Sequence, residues 1–318
     1  MDWDEARSLF LPLYARFDHR ESLKKAKFKL AHYTSLEVMK SIICDQEVWL
    51  SNPLFMNDWE EMRFGIQAGM DIFFSAEAVD AAAGSPTRAD ILKNEVRRLH
   101  ERLDDSGAFD IYVLCLSEHD PDNTDGRLSM WRAYGKQGAG AAIVFDPTKA
   151  PQDDGHPLVI GKVTYASRET RRQEITALIA NWCGLVQQAA PNDDELKIAA
   201  QFIFDLLKSY ALTTKHDGFS EEREWRVIYI PERDPGRAYK DALSYIIGQR
   251  GVEPKLKLKA ETAIGDSGIQ FLDLIDSIIL GPSISSGLSQ LGIERMFEIH
   301  GISPKPKLVA STIPLRTL

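Results

Sequence analysis

The residues whose types and spacing suit chemistry lie together in one stretch, FSEEREWRVIYI at positions 219–230. Trp225, Val227 and Tyr229 alternate there with Glu224, Arg226 and Ile228, the period-two pattern of a strand. On that period Glu222, Glu224 and Arg226 share the face opposite Trp225, so two carboxylates and a guanidinium stand over an aromatic anchor. Such a group can position a sugar hydroxyl, support a positive charge, or form a cross-strand ion-pair ladder and nothing more. The planar fork of Arg226 suits a glutamate or a nucleotide phosphate equally. Asp58, Glu60 and Glu61, joined to Glu222 and Glu224, could hold a divalent cation, the arrangement of a metal-dependent nuclease. In a third class, a non-enzymatic sensor or interaction domain, the acidic loop would be a partner surface. HExxH, GxSxG, GxxxxGK[ST] and a glycine-rich dinucleotide fingerprint are all missing. Gly135, Gly138 and Gly140 precede a strand and open no helix, so they are no phosphate loop.

The composition sets bounds on these readings. The chain has 318 residues, 44% hydrophobic and 27% charged, a soluble globular balance with ample chain for a sizeable core. Its net charge of −9, from 38 basic and 47 acidic residues, argues against a surface coated for duplex DNA or anionic lipid. No apolar run approaches a membrane span and the first residues lack the form of a signal peptide, so no membrane partner is expected. Cys44, Cys115 and Cys183 are far apart and form no CxxC, which points to a reducing cytoplasm.

The elements that must position the candidates follow from periodicity and caps. Helical spacing predicts helices at 2–17, 35–44, 57–74, 88–103, 128–134, 238–247 and 286–300. Thr34 with Glu37, and Asn57 with Glu60, read as N-terminal caps. Strands are predicted at 28–33, 48–51, 111–117, 141–145, 158–165, 275–280 and 307–313, the segment 158–165 lying beside 141–145. Alternating Lys and Leu at 255–259 suggests an edge strand guarded by lysines. Residues 168–214 read as an inserted helical pair broken at Pro191. The whole is expected to be one α+β domain over 1–318, with a mixed, mostly antiparallel sheet, flanking helices and that insertion.

Several of these segments, in order, resemble the bacterial family called domain of unknown function 2971. They are His32-Tyr33-Thr34; Leu50-Ser51-Asn52-Pro53 with Asn57-Asp58-x-Glu60; Leu116-Ser117; Met130-Trp131-Arg132-Ala133-Tyr134; Glu222-x-Glu224-Trp225-Arg226; and Ile278 to Pro282. A strand bearing His-x-Thr, a helix, and a late strand opening on Glu-x-Glu also look like the ADP-ribosyltransferase fold. That likeness implies NAD as a substrate, a nucleotide ligand, and a protein or nucleic-acid acceptor of unknown identity. It implies a role in bacterial defence or as a toxin. His32 would then bond a ribose hydroxyl, Glu224 would hold the nicotinamide ribose, and Glu222 would orient the nucleophile. Tyr33, Trp131 or Tyr134 would stack on nicotinamide, and Thr34, Ser51, Asn57 and Arg226 would complete the cofactor contacts. His32 and Glu224 are expected to face one cleft.

Overall fold

The computed structural model describes residues 2–56, 59–105, 110–150, 157–231, 234, 236–248, 251–264 and 269–315. No helix among the described residues is long and apolar enough to cross a membrane. The strands in chain order are β1 (Lys29–Thr34), β2 (Glu47–Ser51), β3 (Tyr112–His119), β4 (Ala141–Phe145), β5 (Leu158–Lys162), β6 (Thr164–Ala166), β7 (Thr214–His216), β8 (Glu224–Tyr229), β9 (Leu243–Gly248), β10 (Gly251–Lys259), β11 (Ile275–Leu280) and β12 (Lys307–Ala310). The chain folds as two compact units, one of residues 1–19, 52–111 and 161–220, the other of residues 20–51, 112–160 and 221–318.

The first unit is helical, with β6 and β7 as a small parallel pair. The stretch expected as an insertion forms two of its helices, Arg168–Ala189 and Asp193–Leu212. The break between them is capped by Asn192: its side chain accepts from Asp194 and Glu195 nitrogens while Glu195 returns a bond to the Asn192 backbone. These helices pack with Trp3–Tyr14, Trp59–Ser75, Glu77–Ala83 and Pro86–Asp105. Phe10, Phe73 and Trp182 form a fully buried aromatic cluster at their centre.

The second unit is the mixed, mostly antiparallel sheet, in the order β12-β11-β4-β1-β3-β2-β10-β9, with β8 also on β3 and β5 on β8. β11 and β12 run parallel in it, whereas the pairs β1–β3, β1–β4, β2–β3, β2–β10, β3–β8, β4–β11 and β9–β10 are antiparallel. β8 occupies one edge of β3 along residues 112–117, so β1 and β2 must share the other. β1 meets it at 117–119 and β2 at Val113, so the two strands part and leave a split beside residues 114–116. Both sheet faces are apolar near the centre. Leu30, Leu116, Ile143, Trp225 and Ile278 belong to the larger core cluster, and Ala31, Tyr33, Val144, Ile279 and Trp131 to a smaller one.

Four sequence expectations change here. The helix cap after β1 is Ser35, whose hydroxyl accepts from Val38 N, because Thr34 is still in the strand. Residues 243–248 form β9 and not a helix, since pairing with β10 decides a short apolar run that periodicity alone leaves ambiguous. β10 is not an edge: Lys255 reaches Ser51 Oγ at 2.9 Å, Lys257 sits 4.3 Å from the Trp49 ring, and Lys259 pairs with Glu47. Its lysines are cross-strand partners. β5 pairs with β8, not with the strand at 141–145.

The entry to β4 tolerates no side chain. A methyl group at Gly140 would stand 2.1 Å from the Thr34 carbonyl oxygen, while Gly140 N bonds Gly135 O and Gly140 O accepts from Gly281 N. Gly140→Ala is expected to destabilise by roughly 1–3 kcal/mol, the usual range for forced overpacking. Urea unfolding checks it: an unchanged midpoint would mean that the β1–β4 contact yields easily.

Candidate functional site

β8 and the residues just before it gather the polar side chains. Glu224 opens the strand, and its carboxylate is clamped by Arg226 two residues on, Nε to Oε1 at 2.8 Å and Nη2 to Oε2 at 3.1 Å. Two residues apart on a strand share a face, so the fork closes without distortion. Both are only 4% exposed, so this is a buried ion pair and not a surface ladder. Trp225 points the other way into the larger core, its ring tilted against Phe28 and its Nε1 donating to Glu118.

Glu222 is not in the strand. Residues 217–222 form a 3-10 segment, and Arg223, at φ +43°, turns the chain through the left-handed region before β8 begins. Its carbonyl accepts from Glu118 N at 2.9 Å, which fixes the turn against β3. The partly exposed Glu222 carboxylate accepts from the Tyr134 hydroxyl at 2.8 Å. Its backbone carbonyl accepts from Ser117 Oγ.

Arg127, which pattern reasoning missed, ties these pieces together. Its Nη1 donates to Ser117 Oγ at 3.1 Å and to the Glu221 carbonyl, and Nη2 donates to the Glu118 carbonyl at 2.9 Å. Its backbone N–H donates to the Tyr33 hydroxyl at 2.8 Å. Burial pushes the Tyr33 phenol above its ordinary pKa, so it stays protonated. The available signal was position: an arginine at the end of a polar loop, just before the helix Leu128–Ala133.

The expected convergence of His32 and Glu224 does not occur. β1 sets Leu30 opposite Glu118 and Ala31 opposite Ser117, while β8 sets Trp225 opposite Leu116 and Glu224 opposite Ser117. Directly opposed residues share a face. Tyr33 therefore lies on the side of Ser117, Glu224 and Arg226, whereas His32 and Thr34 lie on the side of Trp225. His32 instead sits at the split, its Nδ1 2.9 Å from the Cys115 carbonyl on the unpaired edge of β3. Against a carbonyl that nitrogen must donate, which leaves Nε2 as the acceptor.

The remaining candidates divide clearly. Trp131 is fully buried: its Nε1 donates to Asp125 O, and Cβ atoms at Gly126 and Gly135 would lie 2.8 and 2.4 Å from its ring. It packs edge-on against Tyr33 at 4.8 Å and is core, not a stacking platform. Ser51 is on the Glu224 face but level with Val113, four residues along β3 from Ser117, and it accepts from Lys255. Ser117 is the serine facing Glu224. Asn57 and Asp58, and the side chains of Glu60 and Glu61, lie outside the described residues. Among the described residues no three His, Cys, Asp or Glu side chains gather as a metal group.

Residues 130–227 match the family described as "Protein of unknown function (DUF2971)". The family expected from the sequence motifs is thus found over that stretch, which holds the Met130 to Tyr134 and Glu222 to Arg226 motifs. No curated protein and no solved structure matches the chain.

Two outcomes follow from burial. Glu224→Gln leaves a buried guanidinium facing a neutral amide, so a loss of about 3–5 kcal/mol is expected, against about 0–1 for an exposed pair. Chemical denaturation measures it, and a loss below 1 kcal/mol would contradict the buried clamp. Burial also lowers the pKa values of His32, His119 and His19. The unfolded chain then takes up protons first, near pH 6.5, so stability should fall as the pH drops from about 7 to 5.5. His32→Gln, which keeps a donor for Cys115, should show a shallower slope; parallel curves would mean His32 does not contribute.

Proposed function

We propose that the chain is an NAD-consuming enzyme of ADP-ribosyltransferase type, with Glu222 as the carboxylate that meets the nicotinamide ribose. The observation that carries this is the division of labour between the two glutamates. Glu224 is closed off by Arg226, while Glu222 is displaced from the strand register, partly exposed, and hydrogen-bonded to Tyr134. A fixed carboxylate beside a phenol suits a sugar whose glycosidic bond is breaking, because positive charge builds on the ring and an aligned anion stabilises it.

His32 contributes nothing to this face, so the proposal does not include the ribose contact expected of it. The donor set fits the sugar better than the diphosphate. Arg127 is committed to Ser117 and two carbonyls and Arg226 to Glu224, so the exposed Arg223 is the neighbouring cation for phosphate. In the reaction the C1′–N bond breaks and nicotinamide leaves with the electron pair. A nucleophile on a protein, on a nucleic acid or on water bonds to C1′ and gives up its proton. Such chemistry would suit a defence or toxin effector.

Incubation with NAD, with and without a chelator, should release nicotinamide at equal rates. Glu222→Gln should lose on the order of 10²–10³ in rate with NAD binding and melting temperature little changed. Full turnover in that variant would remove Glu222 from the chemistry. Chelator-sensitive cleavage of RNA or DNA would favour a metal-dependent nuclease, and inactivity in both assays an interaction domain.

A further inference from the structure

We infer that β9 is a self-association edge, where a second copy of this chain adds its own β9 antiparallel to the first. Among the described residues β9 is the last strand of the sheet order, paired on one side only by β10. Its sequence, LSYIIG, carries no charge and no proline, the devices that keep a free edge from pairing. The lysines that sequence alone assigns to edge protection lie one strand inward, on β10, where Lys255 and Lys259 bond to β2 residues.

The side chains of this edge are as unprotected as its backbone. Leu243 is 43% exposed, Tyr245 68% and Ile247 89%, all on one face by the strand period. Val252, directly opposite Ile247 on β10, is 59% exposed and extends the same patch. Side chains of this size carry roughly 150–200 Å² each, so the patch exposes on the order of 400–500 Å² per copy. Edge-to-edge pairing buries the strand backbones and the flanks of Leu243, Tyr245 and Ile247 but leaves their outward surfaces and Val252 in solvent, so the contact lies at the small end of the interface range and the dimer is a weak one.

The pattern is complementary to itself. In an antiparallel pair with a two-fold axis at Tyr245, Leu243 faces the second copy's Ile247, Tyr245 faces its counterpart, and every opposed pair shares a face. Only the register centred on Tyr245 pairs all three outward apolar residues. The strand is uncharged, so the chain's net charge of −9 bears on this contact only at long range, and salt should strengthen pairing slightly.

Sedimentation velocity of the full chain from low micromolar to its solubility limit should show a reversible monomer–dimer equilibrium. The Tyr245→Lys, Ile247→Lys double variant should be monomeric throughout, with unchanged circular dichroism and nicotinamide release no different from wild type. Tyr245→Cys should give a disulfide-linked dimer on mild oxidation, in excess of the wild-type background from its three cysteines, while Ser244→Cys, off the axis, should not. A wild-type chain that stays monomeric at its solubility limit, or a dimer that survives the double lysine substitution, would overturn the inference.

Discussion

The guanidinium of Arg127 is the constraint on which the candidate site depends. It bonds three backbone or hydroxyl oxygens from two segments, the end of β3 and the stretch before β8, while its own N–H holds Tyr33 on β1. Charge-assisted bonds of this kind contribute roughly 1.5–3 kcal/mol each, more than neutral ones, and three on one planar group also fix direction. Glu222 stands where it does because the carbonyls on either side of it in space are held: Glu221 O by Arg127, Glu222 O by Ser117, and Arg223 O by Glu118 N. The left-handed backbone of Arg223 is the local cost of this arrangement, and such outliers persist where the surroundings over-determine them.

The second requirement is a rigid floor. Trp131 provides it, its indole lying against Gly126 and Gly135 so closely that neither position accepts a Cβ. The helix Leu128–Ala133 is too short to be stable alone, and burying this ring anchors it to the sheet. Tyr134, next in the chain, is thereby brought to Glu222. Of the three aromatics expected to bind a ligand, Trp131 builds the floor, Tyr33 packs edge-on against it, and Tyr134 reaches the Glu222 carboxylate.

Much of this was legible in the sequence, and what was not has physical causes. Elements with strong local signals were readable: the break at Pro191 between the helices Arg168–Ala189 and Asp193–Leu212, and the apolar runs that became β3, β4 and β11. The period-two pattern correctly set Glu224 and Arg226 apart from Trp225, but it could not show that both charges are buried. It failed at Glu222, because a single left-handed residue ends the strand period and no residue type announces that conformation in an arginine. β10 was misread as an edge because an edge is a property of the sheet order, and β9 as a helix because only its pairing with β10 decides so short an apolar run. Arg127 escaped notice because its partners are mostly backbone carbonyls, which leave no trace in side-chain spacing.

The position of His32 follows from the same non-local logic. β3 offers one full edge to β8 and divides the other between β1 and β2, so a carbonyl in the middle has no strand opposite it on that side. A buried unbonded carbonyl is costly, and a side chain that can donate one hydrogen bond from the adjacent strand resolves it. Histidine at position 32 does so toward Cys115 and is held neutral by burial. The residue that resembles a ligand contact in the sequence therefore has a structural task set by the sheet. Glu224 lies on the other face of the sheet beside Ser117, and Glu222 is held near it by Tyr134.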